Sequence, residues 1–169
     1  MNFPIHPQNN QQRRQWMSLL ARSSVEQLEA SLRPHLELPH QMLKEPQTGL
    51  LMVQGRMGAT GQRFNMGEMT VCRCVLQVSI PAQTQTSRIQ VGVAYIKGSQ
   101  KRHAFLAAFA DALLQDPEYF PILQKDILMP ILELLNHHSQ TKMNQTLSSK
   151  VEFFTVARQS TGISDEQVA

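Results

Sequence analysis

At 169 residues and 19.2 kDa the chain fits one domain of ordinary size. Hydrophobic residues make up 41% and charged residues 17%, which excludes a disordered polyampholyte. No apolar run approaches the roughly 20 residues of a spanning helix. The net charge of +3 and pI near 9.1 are mild, and aromatics are only 6%, whereas a nucleic-acid binder usually shows a dense basic stripe with stacking rings.

Two cysteines, Cys72 and Cys74, cannot staple a fold, and Met1-Asn2-Phe3-Pro4-Ile5-His6 lacks the pattern of a secretory signal. The expectation is a reducing, cytoplasmic home with no membrane contact.

Residues 1–10 are polar, rich in Asn, Gln and Pro, and read as a flexible N-terminus. Trp16, Leu19, Leu20, Leu28 and Leu32 then recur at helical spacing. Ser23 and Glu26 have capping-box spacing, so the pattern predicts two helices, about 11–22 and 24–33, ended by Pro34. The stretch 35–47, with Pro39 and Pro46, reads as a connector.

From Gly49 the period changes to two. Leu50–Val53 reads as a short buried strand, followed by a loop rich in glycine. Thr70, Cys72, Cys74, Leu76, Val78 and Ile80 share one strand face, and Ile89, Val91, Val93 and Tyr95 share a face of the next. Pro81–Ser87 joins them as a hairpin-type loop, making 68–80 and 88–97 antiparallel neighbours. Ala104, Phe105, Ala108, Phe109, Ala112 and Leu113 form a helical stripe that stops before Asp116-Pro117. A further helix runs from about 125 to 147, begun or kinked by Pro130. Val151–Val156 reads as a last strand, and 159–169 as a flexible C-terminal tail. The order predicts an α+β fold, a mainly antiparallel sheet of about four strands with helices on one face, in a single domain spanning 11–158.

The most unusual stretch is Val53–Glu68, which holds Gly55, Gly58, Gly61 and Gly67 with Arg56 and Arg63. Such glycines present backbone N–H groups to an anion, and the arginines add bidentate contacts to phosphate. The order matches neither the phosphate-binding P-loop nor the dinucleotide fingerprint. On pattern alone, a long turn between strands or a surface shaped for a protein partner accounts for it better than an anion site.

Cys72 and Cys74 are too close for the usual zinc spacing and read as small core residues. His137-His138 read as cations near a helix C-terminus. Lys101-Arg102-His103 opens a helix, where cations oppose the helix dipole; an anionic ligand, an acidic partner or a solvated turn fits. Asp111 either faces solvent or bonds a neighbouring segment. Glu68 and Asp111 form no evident acid–base pair, so the chain is read as having no catalytic and no metal-binding residue of its own.

Three ordered blocks, Gly49–Cys74, Gly92–Gln115 and Val151–Arg158, together with Arg14, Trp16, Met17, Leu20 and Ala21, resemble the PhnG family of the bacterial carbon–phosphorus lyase system. The resemblance covers roughly 11–158. Cys72 departs from an expected threonine, and Gln54 from a frequently basic position.

What the resemblance implies is an accessory subunit of a core complex with PhnH, PhnI and PhnJ, working with the ATP-binding-cassette-like PhnL. That complex supports transfer of the ribose 5-triphosphate moiety of ATP to an alkylphosphonate with release of adenine. ATP is then a substrate of the complex, PhnI carries the nucleosidase chemistry, and an iron–sulfur cluster with S-adenosylmethionine belongs to PhnJ. No cofactor is expected in this chain. Gly55, Arg56, Gly58, Gly61, Arg63, Glu68, Arg73, Lys101, Arg102 and His103 are the candidates for substrate or interface contacts. The alternatives are a stand-alone phosphate- or nucleotide-binding module and a nucleic-acid-binding adaptor.

Overall fold

A computed structural model of the protein describes residues 10–58, 60–81 and 87–148. Helices α1 (Asn10–Leu20) and α2 (Val25–Leu32) come first. Strands β1 (His40–Arg56), β2 (Arg63–Ile80) and β3 (Arg88–Lys97) follow, and then α3 (Lys101–Leu114), α4 (Phe120–Leu123) and α5 (Met129–Ser148). The α+β class and the antiparallel sheet agree with the sequence reading. Among the described residues the sheet has three strands, in the order β1-β2-β3, rather than about four. The strand expected at 151–156 lies outside the described residues.

The stretch 35–47, expected as a connector, instead supplies much of β1. Pro39 and Pro46 do not prevent this, because Pro39 lies just before the strand and Pro46 falls in the irregular stretch between Lys44 and Gln47, where it has no pairing partner in β2. Two register shifts, between Met42 and Lys44 and between Lys44 and Gln47, disturb the period-two pattern and explain why the sequence hides the strand. Similarly, the capping box sits one residue later than expected. Ser24 accepts from the Gln27 N–H, and the Gln27 side chain accepts from the Ser24 N–H.

Helix α3 runs along the sheet and is buried almost all round. Ala104, Leu106, Ala107, Ala108, Phe109, Ala110, Ala112, Leu113 and Leu114 are all fully enclosed. Small alanines let its backbone come close to β3. At Gly92 an added Cβ would overlap the Ala108 carbonyl oxygen, so only glycine permits that approach. Cys72, Cys74, Leu76, Val78 and Ile80 of β2 complete the core from the sheet side, and Trp16, Leu20, Leu28 and Leu32 close it from α1 and α2.

On β3 the buried residues are Gly92, Ala94 and Ile96, not the apolar set at 89, 91, 93 and 95. Ile89 is 60% exposed and Tyr95 55%. The more hydrophobic face of β3 therefore points away from α3, because Gly92 and Ala94 are what the close approach of that helix tolerates.

The helix α4 leads through one wide turn, Gln124–Leu128, into α5. Pro130 explains the widening. It has no N–H to give the Asp126 carbonyl, and its ring would crowd that carbonyl in a regular helix. The freed carbonyl accepts from the Ser31 hydroxyl at 3.2 Å. His137 and His138 are exposed and lie in the middle of α5, not at its C-terminus. The chain divides into two compact units after Asn136. In the second, the described residues continue the helix, with Thr141 and Thr146 donating to the carbonyls four residues back. No helix of the described residues is long and apolar enough to cross a membrane.

Candidate functional site

The glycine-rich segment is not a long loop. It is the outer half of a two-stranded ribbon, in which Leu50 to Arg56 pairs with Thr70 to Arg63. Strand β3 reaches only to Lys97, opposite Val71, so the ribbon continues past it without a third strand. Gly55 stands in the ladder opposite Phe64, and Gly58, with φ of 65°, makes the left-handed step of the turn. Gly61 is packed so closely on the Met57 carbonyl that a side chain there has no room.

Strand geometry sorts the ribbon's side chains, since directly opposed residues share a face. Leu50, Met52, Gln54 and Arg56 lie on one face with Thr70, Glu68, Asn65 and Arg63. A hydrogen bond of 3.2 Å from Gln54 Nε2 to Asn65 Oδ1 marks it. The other face carries Leu51, Met69 and Val53. Beyond them Phe64 and Met66, the extra residue of a bulge in β2, lie over Gly55.

At the tip Arg56 and Arg63 are direct cross-strand partners, both exposed. They border a hollow of about 220 Å³ with Gln54 and Gly55. No carboxylate of the described residues forms an ion pair with either.

The remaining candidates are elsewhere. Glu68 is on β2 opposite Met52, and Arg73 sits between Gln47 and Tyr95 on the sheet face turned away from α3, exposed among the described residues. Lys101 is exposed in the first turn of α3. Its two neighbours have partners inside the chain. Arg102 pairs with Glu29 at 2.6 Å and lies over the Phe105 ring, while His103 is buried with Nε2 3.0 Å from the Leu20 carbonyl oxygen. His103 also lies among the influences that hold the Glu26 carboxyl below its ordinary range. Larger are the backbone N–H of Glu26 itself and the Ser24 hydroxyl. The structure thus groups Gly55, Arg56, Gly58, Gly61 and Arg63 and leaves the α3 start apart from them.

One feature was not singled out from sequence, and beside it the structure decides between the two readings of Asp111. A groove of about 760 Å³ between α1 and β3 is lined by Arg13, Arg14, Met17 and Tyr95, among others. Beside it Asp111 is fully buried. Its carboxylate accepts from Arg13 Nε and Nη2 at 3.1 and 2.6 Å, from Trp16 Nε1 at 2.9 Å and from the Val93 N–H at 3.0 Å. Gln115 donates to the Val91 carbonyl at 2.8 Å, so Asp111 and Gln115 together occupy the outer edge of β3. Of the two readings of this carboxylate in an alanine-rich helix, the bond to neighbouring segments is the one the structure shows.

As for metals, no group of three or more His, Cys, Asp or Glu among the described residues is placed to hold one. Cys72 and Cys74 are enclosed in the core, and burial, with Cys72 alongside, pushes the Cys74 thiol up to about 11.

Residues 11–159 match the family described as phosphonate metabolism protein PhnG. The chain belongs to the PhnG family. It is 32% identical over 148 residues to the alpha-D-ribose 1-methylphosphonate 5-triphosphate synthase subunit PhnG of Rhizobium meliloti (strain 1021), covering 87% of this chain and 89% of that relative. The match takes in the whole ribbon, the Asp111 cluster and every described helix and strand except the first residue of α1.

Proposed function

We propose that this PhnG-family chain is an accessory subunit of an alpha-D-ribose 1-methylphosphonate 5-triphosphate synthase. In that reaction the bond between adenine and the ribose C1 carbon of ATP breaks, and C1 is joined to an oxygen of the alkylphosphonate. The identity to a relative named as a subunit of this synthase, spread over nearly the full length of both chains, carries the reading. An exposed apolar ribbon and a sheet face exposed among the described residues are what a subunit would bring to an assembly. The chain contributes surface and positioning rather than a reacting group; PhnH, PhnI, PhnJ and a PhnL-like ATPase are its partners, in the cytoplasm. The cofactors of carbon–phosphorus bond cleavage then lie in a partner subunit.

Co-expression with the other subunits, followed by size-exclusion chromatography with mass detection, tests this. Co-elution in one particle, with adenine released from ATP only when this chain is present, is expected. A separate monomer, and unchanged adenine release without it, would sink the reading.

A further inference from the structure

The sheet has two edges and a ribbon, and they are treated differently. An exposed strand edge is a template for another chain, so proteins usually blunt it with bulges, proline, lysine or a covering element. The edge of β3 is occupied by side chains of α3, through Asp111 on the Val93 N–H and Gln115 on the Val91 carbonyl. The first half of β1 carries two register shifts, Lys44 and Pro46. Among the described residues the ribbon has no such protection on β1. From Thr48 to Val53 its register is regular, there is no proline, and Leu50 (66%), Leu51 (49%) and Met52 (47%) are exposed. Met66 and Phe64 are exposed on the other strand. At roughly 3.3 Å per residue the ribbon reaches about 20 Å past the end of β3.

Its tip adds an independent observation. Like charges set directly opposite one another on a strand pair are destabilising, yet Arg56 faces Arg63 with no carboxylate of the described residues to neutralise them. That arrangement costs stability in the free chain and is relieved by an external anion held between two guanidinium groups. A free phosphate would relieve the charge but leave the apolar residues in water. A second copy of this chain would cover apolar surface but bring four arginines together.

From these two observations we propose that the ribbon is a docking arm for a different protein chain. Resting on the subunit reading above, that chain is a sister subunit of the synthase. The complementary surface is an apolar groove that takes Leu51, Val53, Phe64 and Met66, with a carboxylate at its end that receives Arg56 and Arg63. The unprotected length of β1 lets the partner add backbone hydrogen bonds along the same arm.

The test uses the full chain co-expressed with the remaining subunits, in three forms: wild type, Leu51→Asp, and Arg56→Glu with Arg63→Glu. All sites lie outside the buried core, so thermal melts and circular dichroism of the three isolated chains should coincide. Each variant should bind the sister subunits at least about tenfold more weakly, the range expected of an interface hot spot. Wild-type affinity in both variants would overturn the docking arm while leaving the subunit reading intact. Failure of the wild type itself to associate would instead overturn the subunit reading. Two further results count against the arm. One is a dimer of the isolated chain that Leu51→Asp dissolves. The other is saturable binding of inorganic phosphate that the arginine variant loses while keeping its association.

Discussion

Cys74 shows how burial fixes chemistry at one side chain. Its thiol points into the core between sheet and α3, and the ionised form would lose its water there, so its pKa rises from 9.0 to about 11. Since the folded chain holds the proton more tightly than the unfolded one, this group favours the fold fully below pH 9 and progressively less as pH rises to about 11. Stability to urea should therefore fall across that interval in the wild type and fall less in Cys74→Ala, itself less stable at neutral pH because of the cavity. Thiol-specific reagents at pH 8 should label neither cysteine until the chain unfolds. Rapid labelling of the native chain would show that the core opens locally. The spacing of Cys72 and Cys74 already assigned both to one strand face, and their enclosure accords with that.

Among elements, the contact of α3 with β3 decides most of the architecture. The helical stripe at Ala104, Phe105, Ala108, Phe109, Ala112 and Leu113 was plain in the sequence, because alanine and large apolar residues recur with a period near 3.6. The orientation of β3 was not. A strand whose odd positions are Ile, Val, Val and Tyr invites the inference that those positions are inside, but the even positions Gly92, Ala94 and Ile96 face the helix. Small residues win that face because the α3 backbone comes closer than a larger side chain allows. Gly92→Ala should then cost about 1–3 kcal/mol through overpacking, as measured by the urea midpoint. An unchanged midpoint would mean that α3 shifts freely along the sheet. The length of β1 was equally hidden, since two register shifts and Pro46 in its first half, with Pro39 just before it, mask a strand of 17 residues.

For the molecule as a whole, Asp111 ties together three parts of the first compact unit. It joins Arg13 and Trp16 of α1, the Val93 N–H of β3 and its own helix α3, so one carboxylate sets where α1 lies and what occupies the sheet edge. Asp111→Ala leaves a guanidinium, an indole N–H and a backbone N–H without their acceptor. The cost should be about 3 kcal/mol, toward the low end for a buried pair because Arg13 is partly in water. Asp111→Asn keeps one acceptor oxygen and should cost less. Equal stability of the wild type and the alanine variant would show that α1 is held by Trp16 packing alone. The affected α1–β3 groove is next to the sheet face turned away from α3, so Asp111→Ala should also weaken subunit association if α1 forms part of that surface.

By itself the sequence determined the class of the fold, the antiparallel pairing of β2 with β3, the amphipathic helices and the resemblance to the PhnG family, because periodicity and ordered motifs are local properties of the chain. It also drew attention to Gly55, Arg56, Gly58, Gly61 and Arg63. Only the tertiary structure decided that these residues form the end of a two-stranded ribbon, with Arg56 opposite Arg63 and apolar side chains open to water. Register across strands is set by pairing between segments, and exposure is set by what packs above them; neither quantity is written in the spacing of residues along one strand.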